Sequence, residues 1–135
     1  MHINLRESWP RVFFATAACS WMPHWSCHYY RLETGSSFVV GSWDFSRFDS
    51  VIALTIYSIL IGMNLIAVVR LRMQLLAAIS SGLLHLAIGG LHSYRLVFPF
   101  RFEVFGYTWS PQASLREAII VIPFGVLCVW IARHK

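Results

Sequence analysis

The sequence predicts an all-α fold, an integral membrane bundle of four transmembrane helices, and three observations carry that prediction. Residues 51 to 69 are nineteen in a row without a charge, closed by Arg70 and Arg72 and followed at once by a second apolar stretch. A helix rises about 1.5 Å per residue, so such a run approaches the ~30 Å hydrocarbon core of a bilayer. Composition agrees, with 57% of residues hydrophobic, 16% aromatic and only 13% charged, against about 25% charged in a soluble domain. The third observation is the uneven placement of basic residues, taken up below. At 135 residues the chain has room for a single transmembrane domain and no separate soluble one.

Taken in order, the first element is the least typical. Residues 12 to 30 are also nineteen without a charge, bracketed by Arg11 and Arg31, but they contain Pro23, His24 and His28 with Trp21 and Trp25. This segment is either a first span or a helix lying in the interface. A turn-rich outer loop follows over residues 31–50, in which Phe38-Val39-Val40 reads as a brief extended piece. The second span, 51–69, joins the third, 75–98, through a short basic turn. Residues 99–114 form a second outer loop. Its Phe100, Phe102, Phe105, Tyr107 and Trp109 suit an aromatic belt at the headgroups, or a contact surface for another protein. The last span, 115–132, carries Pro123 and ends before Arg133, His134 and Lys135. No internal repeat is evident.

Basic residues near span ends tend to stay on the cytoplasmic side. With four spans and the amino terminus inside, the inner segments hold Arg6, Arg11, Arg70, Arg72, Arg133 and Lys135 against Glu7, a net of +5. The outer segments balance to zero, with Arg31, Arg47, Arg95, Arg101 and Arg116 against Glu33, Asp44, Asp49, Glu103 and Glu117. Three spans would destroy that asymmetry. Both termini are therefore expected in the cytoplasm, in a bacterial inner or photosynthetic membrane, and the basic excess points to anionic lipid rather than nucleic acid.

The chemically suggestive pattern lies in the third span. Ser81, His85, Gly89 and His92 are spaced four, four and three apart and so share one helix face. Ionisable groups inside a membrane are costly and turn toward protein, water or a ligand. Three readings of this face stay open. It serves helix packing, it ligates a tetrapyrrole through imidazole, or it relays protons, for which no intramembrane carboxylate partner is evident. The small-x-x-x-His spacing of Ser81 and His85 resembles the pigment-binding helices of bacterial light-harvesting polypeptides. That resemblance implies a haem or (bacterio)chlorophyll lying over a low surface at Ser81.

A second candidate set is His24, Cys27 and His28, whose histidines at i and i+4 could hold copper or zinc together with the thiol. Against it stands a polar and aromatic interfacial cluster. Cys19, Cys27 and Cys128 form no C-x-x-C. Small multidrug transporters are of similar size but place a glutamate deep in the first span. Here Glu117, beside Arg116 at the outer edge of the last span, is read as interfacial and wet. No hydrolytic or phosphate-binding motif occurs, and no enzyme activity is expected.

The function expected from the sequence is that of a small accessory or structural subunit of a respiratory or photosynthetic membrane complex. Its partners would be membrane lipids and other integral membrane subunits. The alternative is a homo-oligomeric carrier or channel lined by Asn64, His85 and His92.

Overall fold

The computed structural model describes residues 5–134, with side chains from residue 9 on. The side chains of Arg6 and Glu7, and Lys135, all counted in the charge asymmetry, lie outside the described residues. Four helices alternate with two hairpins: α1 Leu5–Thr34, β1 Phe38–Val40, β2 Trp43–Asp44, α2 Arg47–Val69, α3 Leu71–Val97, β3 Phe102–Val104, β4 Tyr107–Thr108 and α4 Pro111–Arg133. The helices α2, α3 and α4 are long and apolar enough to cross a membrane. The boundaries read from hydropathy agree with them to within a turn or so. Helices α2 and α4 begin earlier than expected because Ser46 and Ser110 act as N-caps. Ser46 forms a capping box with Asp49, and Ser110 accepts from the Ala113 N–H and is followed by Pro111.

Helix α1 is longer than any other, with Pro10 and Pro23 inside it, and it is not among the helices apolar enough to span. It does not peel away from the others. Near one end Phe13 and Phe14 are buried with Ala67, Ala77, Ala78, Cys128 and Ile131. Near the other, Arg31 bonds the start of α2. It therefore runs the height of the bundle beside α2, as α4 runs beside α3.

The helices are inverted relative to a water-soluble protein. Ile52, Ile56, Ile59 and Val69 of α2 and Ile119, Ile120 and Val126 of α4 point outward, while Ser50, Asn64, Gln74, Ser81, His85 and Ser114 are buried. With apolar side chains on the rim and most hydrogen-bonding groups paired inside, Asn64 Oδ1 being an exception, such a bundle suits a solvent that offers no hydrogen bonds. Asn64 donates to Leu60 O and to Ser81 Oγ, both at 2.8 Å. Where α2 meets α3, the single extended residue Arg70 makes the turn, and Gln74 closes it by donating to Ala67 O at 3.0 Å.

The expectation that the chain lacks an internal repeat is wrong. Residues 28–50 and 92–114 both read H-x-Y-R-L, then F-x-V, then S-x-x-x-S, at a constant offset of 64. Each half is a helix, a hairpin and a helix. The hairpins join in one sheet of order β2-β1-β3-β4, in which β1 and β3 pair antiparallel with Val39 opposite Glu103 at the centre. The flanking bonds obey the same two-fold relation, Gly41 N–H to Arg101 O at 2.7 Å and Phe105 N–H to Ser37 O at 2.9 Å. The turns differ. Gly41 alone has positive φ in the first, as a type II′ turn needs, whereas Phe105 and Gly106 both have it in the second, as in type I′. The repeat is faint in sequence because the residues that match are the scattered ones that form the sheet and its anchors. Lipid-facing positions drift freely among Ile, Leu and Val.

The sheet also revises the outer loops. Phe38-Val39-Val40 is extended as expected, but the second loop is no free aromatic belt, because Phe102 and Val104 are buried beneath the sheet. Glu103 accepts from Ser37 Oγ and pairs with Arg101, and these contacts hold its carboxyl below the usual glutamate range. A depressed carboxyl stabilises the fold above its unfolded pKa of about 4.3, and that contribution is lost as pH falls through the lower folded value. Melting curves taken from roughly pH 6 down to pH 3 should therefore show an acid limb that Glu103→Gln flattens. An unchanged limb would remove Glu103 as its source.

Candidate functional site: a cavity walled by histidines

Between α1 and α4, with α2 and α3 behind and the sheet as its roof, lies an open cavity of about 1390 Å³. His24, His28, His85 and His92 all line it, together with Ser20, Cys27, Tyr57, Glu117 and Phe124 and with Phe38, Val40, Phe102 and Val104 from the sheet. Among the described residues no Lys or Arg lines it.

Two of its histidines are related by the two-fold. His92 Nδ1 lies 3.2 Å from Ser114 Oγ, and His28 Nδ1 lies 3.3 Å from Ser50 Oγ. Behind each serine stands an arginine. Arg95 Nη1 donates to Ser114 Oγ at 2.6 Å and also to Ser110 O, Nη2 donates to Trp109 O, and Nε donates to Phe100 O at 3.0 Å. Arg31 donates in the same way to Ser50 Oγ at 2.8 Å, to Ser46 O and to Phe45 O. A guanidinium can only donate, so each serine oxygen accepts from it and still has a proton to give. Where that proton goes to Nδ1, the imidazole of His28 or His92 is left with Nε2–H as its donor.

His85 is wired in the opposite sense. Its Nδ1 lies 2.7 Å from Ser81 O, a carbonyl that can only accept, so Nδ1 carries the proton and Nε2 holds the lone pair. Nε2 stands 3.2 Å from Ser20 Oγ, whose single proton has two acceptors within reach, Nε2 and Ala17 O at 2.8 Å. The ring is held between Trp21, 3.9 Å away between centroids, and Phe124, at 4.8 Å. A neutral imidazole with Nδ1–H on a backbone carbonyl and a lone pair on the other nitrogen is the form that binds a metal centre.

The face predicted on α3 divides. His85 and His92 reach the cavity, whereas Ser81 and Gly89 do not line it. Ser81 is covered, its Oγ accepting from Trp21 Nε1 at 3.3 Å and from Asn64 Nδ2, so the low surface expected there does not exist. Gly89 faces α4, where a Cβ would lie 2.4 Å from Ile122 Cγ1. The set His24, Cys27 and His28 does not assemble as a metal centre. Among the described residues no group of three His, Cys, Asp or Glu could hold a metal ion. His24 and His28 instead flank the Tyr57 ring, at 5.6 and 5.8 Å.

Glu117 is half-buried and lines the cavity together with His24 and His92, so a carboxylate shares it with the histidines. Ser20, Tyr57, Glu117 and Phe124 carried no motif that could have found them. Arg31, Ser50, Arg95 and Ser114 did, in the repeated H-x-Y-R-L and S-x-x-x-S. The chain matches no protein-family model, no curated protein and no solved structure.

Proposed function

We propose that this chain is a small integral membrane protein that takes a flat lipophilic ligand into the cavity between α1 and α4, with His85 as the contact to its polar or metal centre. The observation that carries the reading is the wiring of His85, whose Nδ1–H is held by Ser81 O while Nε2 stands at the cavity wall with only the hydroxyl of Ser20, itself a cavity residue, against it. A tetrapyrrole of the haem or chlorophyll type fits that donor, since one neutral imidazole supplies an axial ligand and the surrounding aromatic rings supply an apolar slot. His92, presenting N–H, would donate a hydrogen bond rather than ligate.

On this reading α1 crosses the bilayer with the other three helices and both termini are cytoplasmic, as the charge asymmetry favours. The proposed role is that of an accessory subunit in a larger respiratory or photosynthetic assembly, where a neighbouring helix would close the open side of the cavity. The rival reading, a small self-associating carrier, gains from Glu117, an ionisable group within a span. It loses Asn64, whose amide is committed to Leu60 and Ser81 and which does not line the cavity.

The test is an absorption spectrum between roughly 350 and 900 nm of protein purified gently from its native membrane. A Soret or long-wave band is expected, lost in His85→Ala and shifted but retained in His92→Ala, with the helix content of both unchanged. A band that survives His85→Ala unaltered, or no band in the wild type, would sink the tetrapyrrole assignment.

A further inference from the structure

We infer that the upper tier of the same cavity is a binding site for a lipophilic organic cation, with Glu117 as its counter-ion. The inference rests on the cavity being a ligand site, as proposed above, but not on the ligand there being a tetrapyrrole.

The charge of the lining is the starting point. Among the described residues Glu117 is its only carboxylate, and it contains no Lys or Arg. Arg116, adjacent in sequence, is exposed on another side of α4. Arg31 and Arg95 stand behind Ser50 and Ser114, their terminal nitrogens donating to carbonyls and hydroxyls, and neither lines the cavity. Among the described residues the only ion pair is Arg101–Glu103, so Glu117 has no cationic partner of its own.

Glu117 is the seventh residue of a helix that begins at Pro111, roughly 9 Å along it, half-buried on the cavity wall, and an ionisable group within a span turns toward protein, water or a ligand rather than lipid. The walls around it suit one kind of counter-ion. Tyr57, Phe102, Trp109 and Phe124 line the same cavity, and aromatic faces attract a cation while burying its apolar substituents. A small hydrated metal ion would gain little here, because no three ligating side chains among the described residues converge. A delocalised or alkyl-shielded cation, which loses little on leaving water, meets both the charge and the rings. The opening between α1 and α4 offers such a molecule a path from the bilayer.

The test uses tetraphenylphosphonium as the probe and pyrene as a neutral aromatic control, with the full chain in detergent and tryptophan fluorescence as the readout. Saturable tetraphenylphosphonium binding is expected, weakened about tenfold or more by Glu117→Gln and largely kept by Glu117→Asp. Pyrene should bind wild type and Glu117→Gln alike. If tetraphenylphosphonium binds Glu117→Gln as tightly as wild type, or fails to bind while pyrene succeeds, the cation site is refuted and the ligand cavity survives. If neither probe saturates, the cavity reading falls as well. Both variants are to be compared by circular dichroism and gel filtration. Should Glu117→Gln misfold, competition by tetraphenylphosphonium for carbodiimide labelling of Glu117 in the wild type gives the same decision.

Discussion

Replacing Arg95 by alanine is expected to destabilise the protein by about 3 kcal/mol, because it strips donors from several buried acceptors at once. The guanidinium is only 7% exposed and reaches Phe100 O, Trp109 O, Ser110 O and Ser114 Oγ. It ties the end of α3 to the start of α4 and to the strand between them, and it stacks over Phe102 at 5.5 Å. Lysine should not rescue the loss, since one ammonium cannot fan its donors over the arc that a planar fork covers. For a chain of this size the change corresponds to roughly 10 °C in Tm. The two-fold gives an internal replicate, as Arg31→Ala removes the equivalent anchor in the first half and should act in the same direction. Arg101→Ala is the control. Its charge is paired with Glu103 but its side chain is 61% exposed, so its loss should cost at most about 1 kcal/mol. Equal melting temperatures for Arg95→Ala and the wild type would mean that the anchor contributes nothing.

The same substitution should reach the cavity. Ser114 is held by Arg95 and in turn faces His92 Nδ1, so without the guanidinium the serine can turn and the tautomer of His92 is no longer set. A ligand that accepts from His92 should show a shifted spectrum in Arg95→Ala, while its bond to His85 remains.

The second large effect is expected where α3 and α4 cross. A Cβ on Gly82 would lie 2.9 Å from Val129 Cγ2, 3.0 Å from Cys128 Cβ and 3.1 Å from Gly125 O, and a Cβ on Gly125 would lie 3.1 Å from Gly82 O. Two backbones that approach so closely leave no room for a side chain, and a carbonyl cannot yield unless its helix moves. Gly82→Val should therefore cost about 3 kcal/mol, the upper part of the range for overpacking. It should also weaken ligand binding, since pushing α4 outward carries Phe124 away from His85. Gly62 and Gly90 provide the contrast. Both lie within helices, and a Cβ added at either would meet nothing within 4 Å, so alanine there should be neutral or stabilising by roughly 0.5–1 kcal/mol through helix propensity. Thermal unfolding of the three variants side by side tests the crossing. If Gly82→Val melts with Gly62→Ala, the helices are not in contact there.

Several features of the candidate site were legible in the amino-acid sequence. The charge-free run to Val69 and the basic turn at Arg70 located α2 and α3, because hydropathy sums over a window and needs no knowledge of neighbours. His85 and His92 could be placed on one face because helical periodicity is equally local. The duplicated H-x-Y-R-L and S-x-x-x-S were also present to be read. Their significance lay in pairings between Arg95 and Ser114 or Arg31 and Ser50, nineteen residues apart, across a hairpin whose path no local pattern specifies.

What the sequence by itself determined is a chain with three helices able to cross a membrane, polar residues on their inner faces and histidines among them. The tertiary structure alone decided what those residues face. Helix rotation is set by the close approach of Gly82 and Gly125, and by Trp21 and Asn64 closing over Ser81. These contacts cover Ser81 and leave His85 and His92 on the cavity wall. The same rotation puts Glu117 on the cavity wall and sets Ser81 O against His85 Nδ1 and Ser114 Oγ against His92 Nδ1. Such differences arise because a tautomer or a cavity depends on distances of a few tenths of an ångström between elements far apart in the chain. Composition and periodicity, which describe each helix singly, contain no such distances.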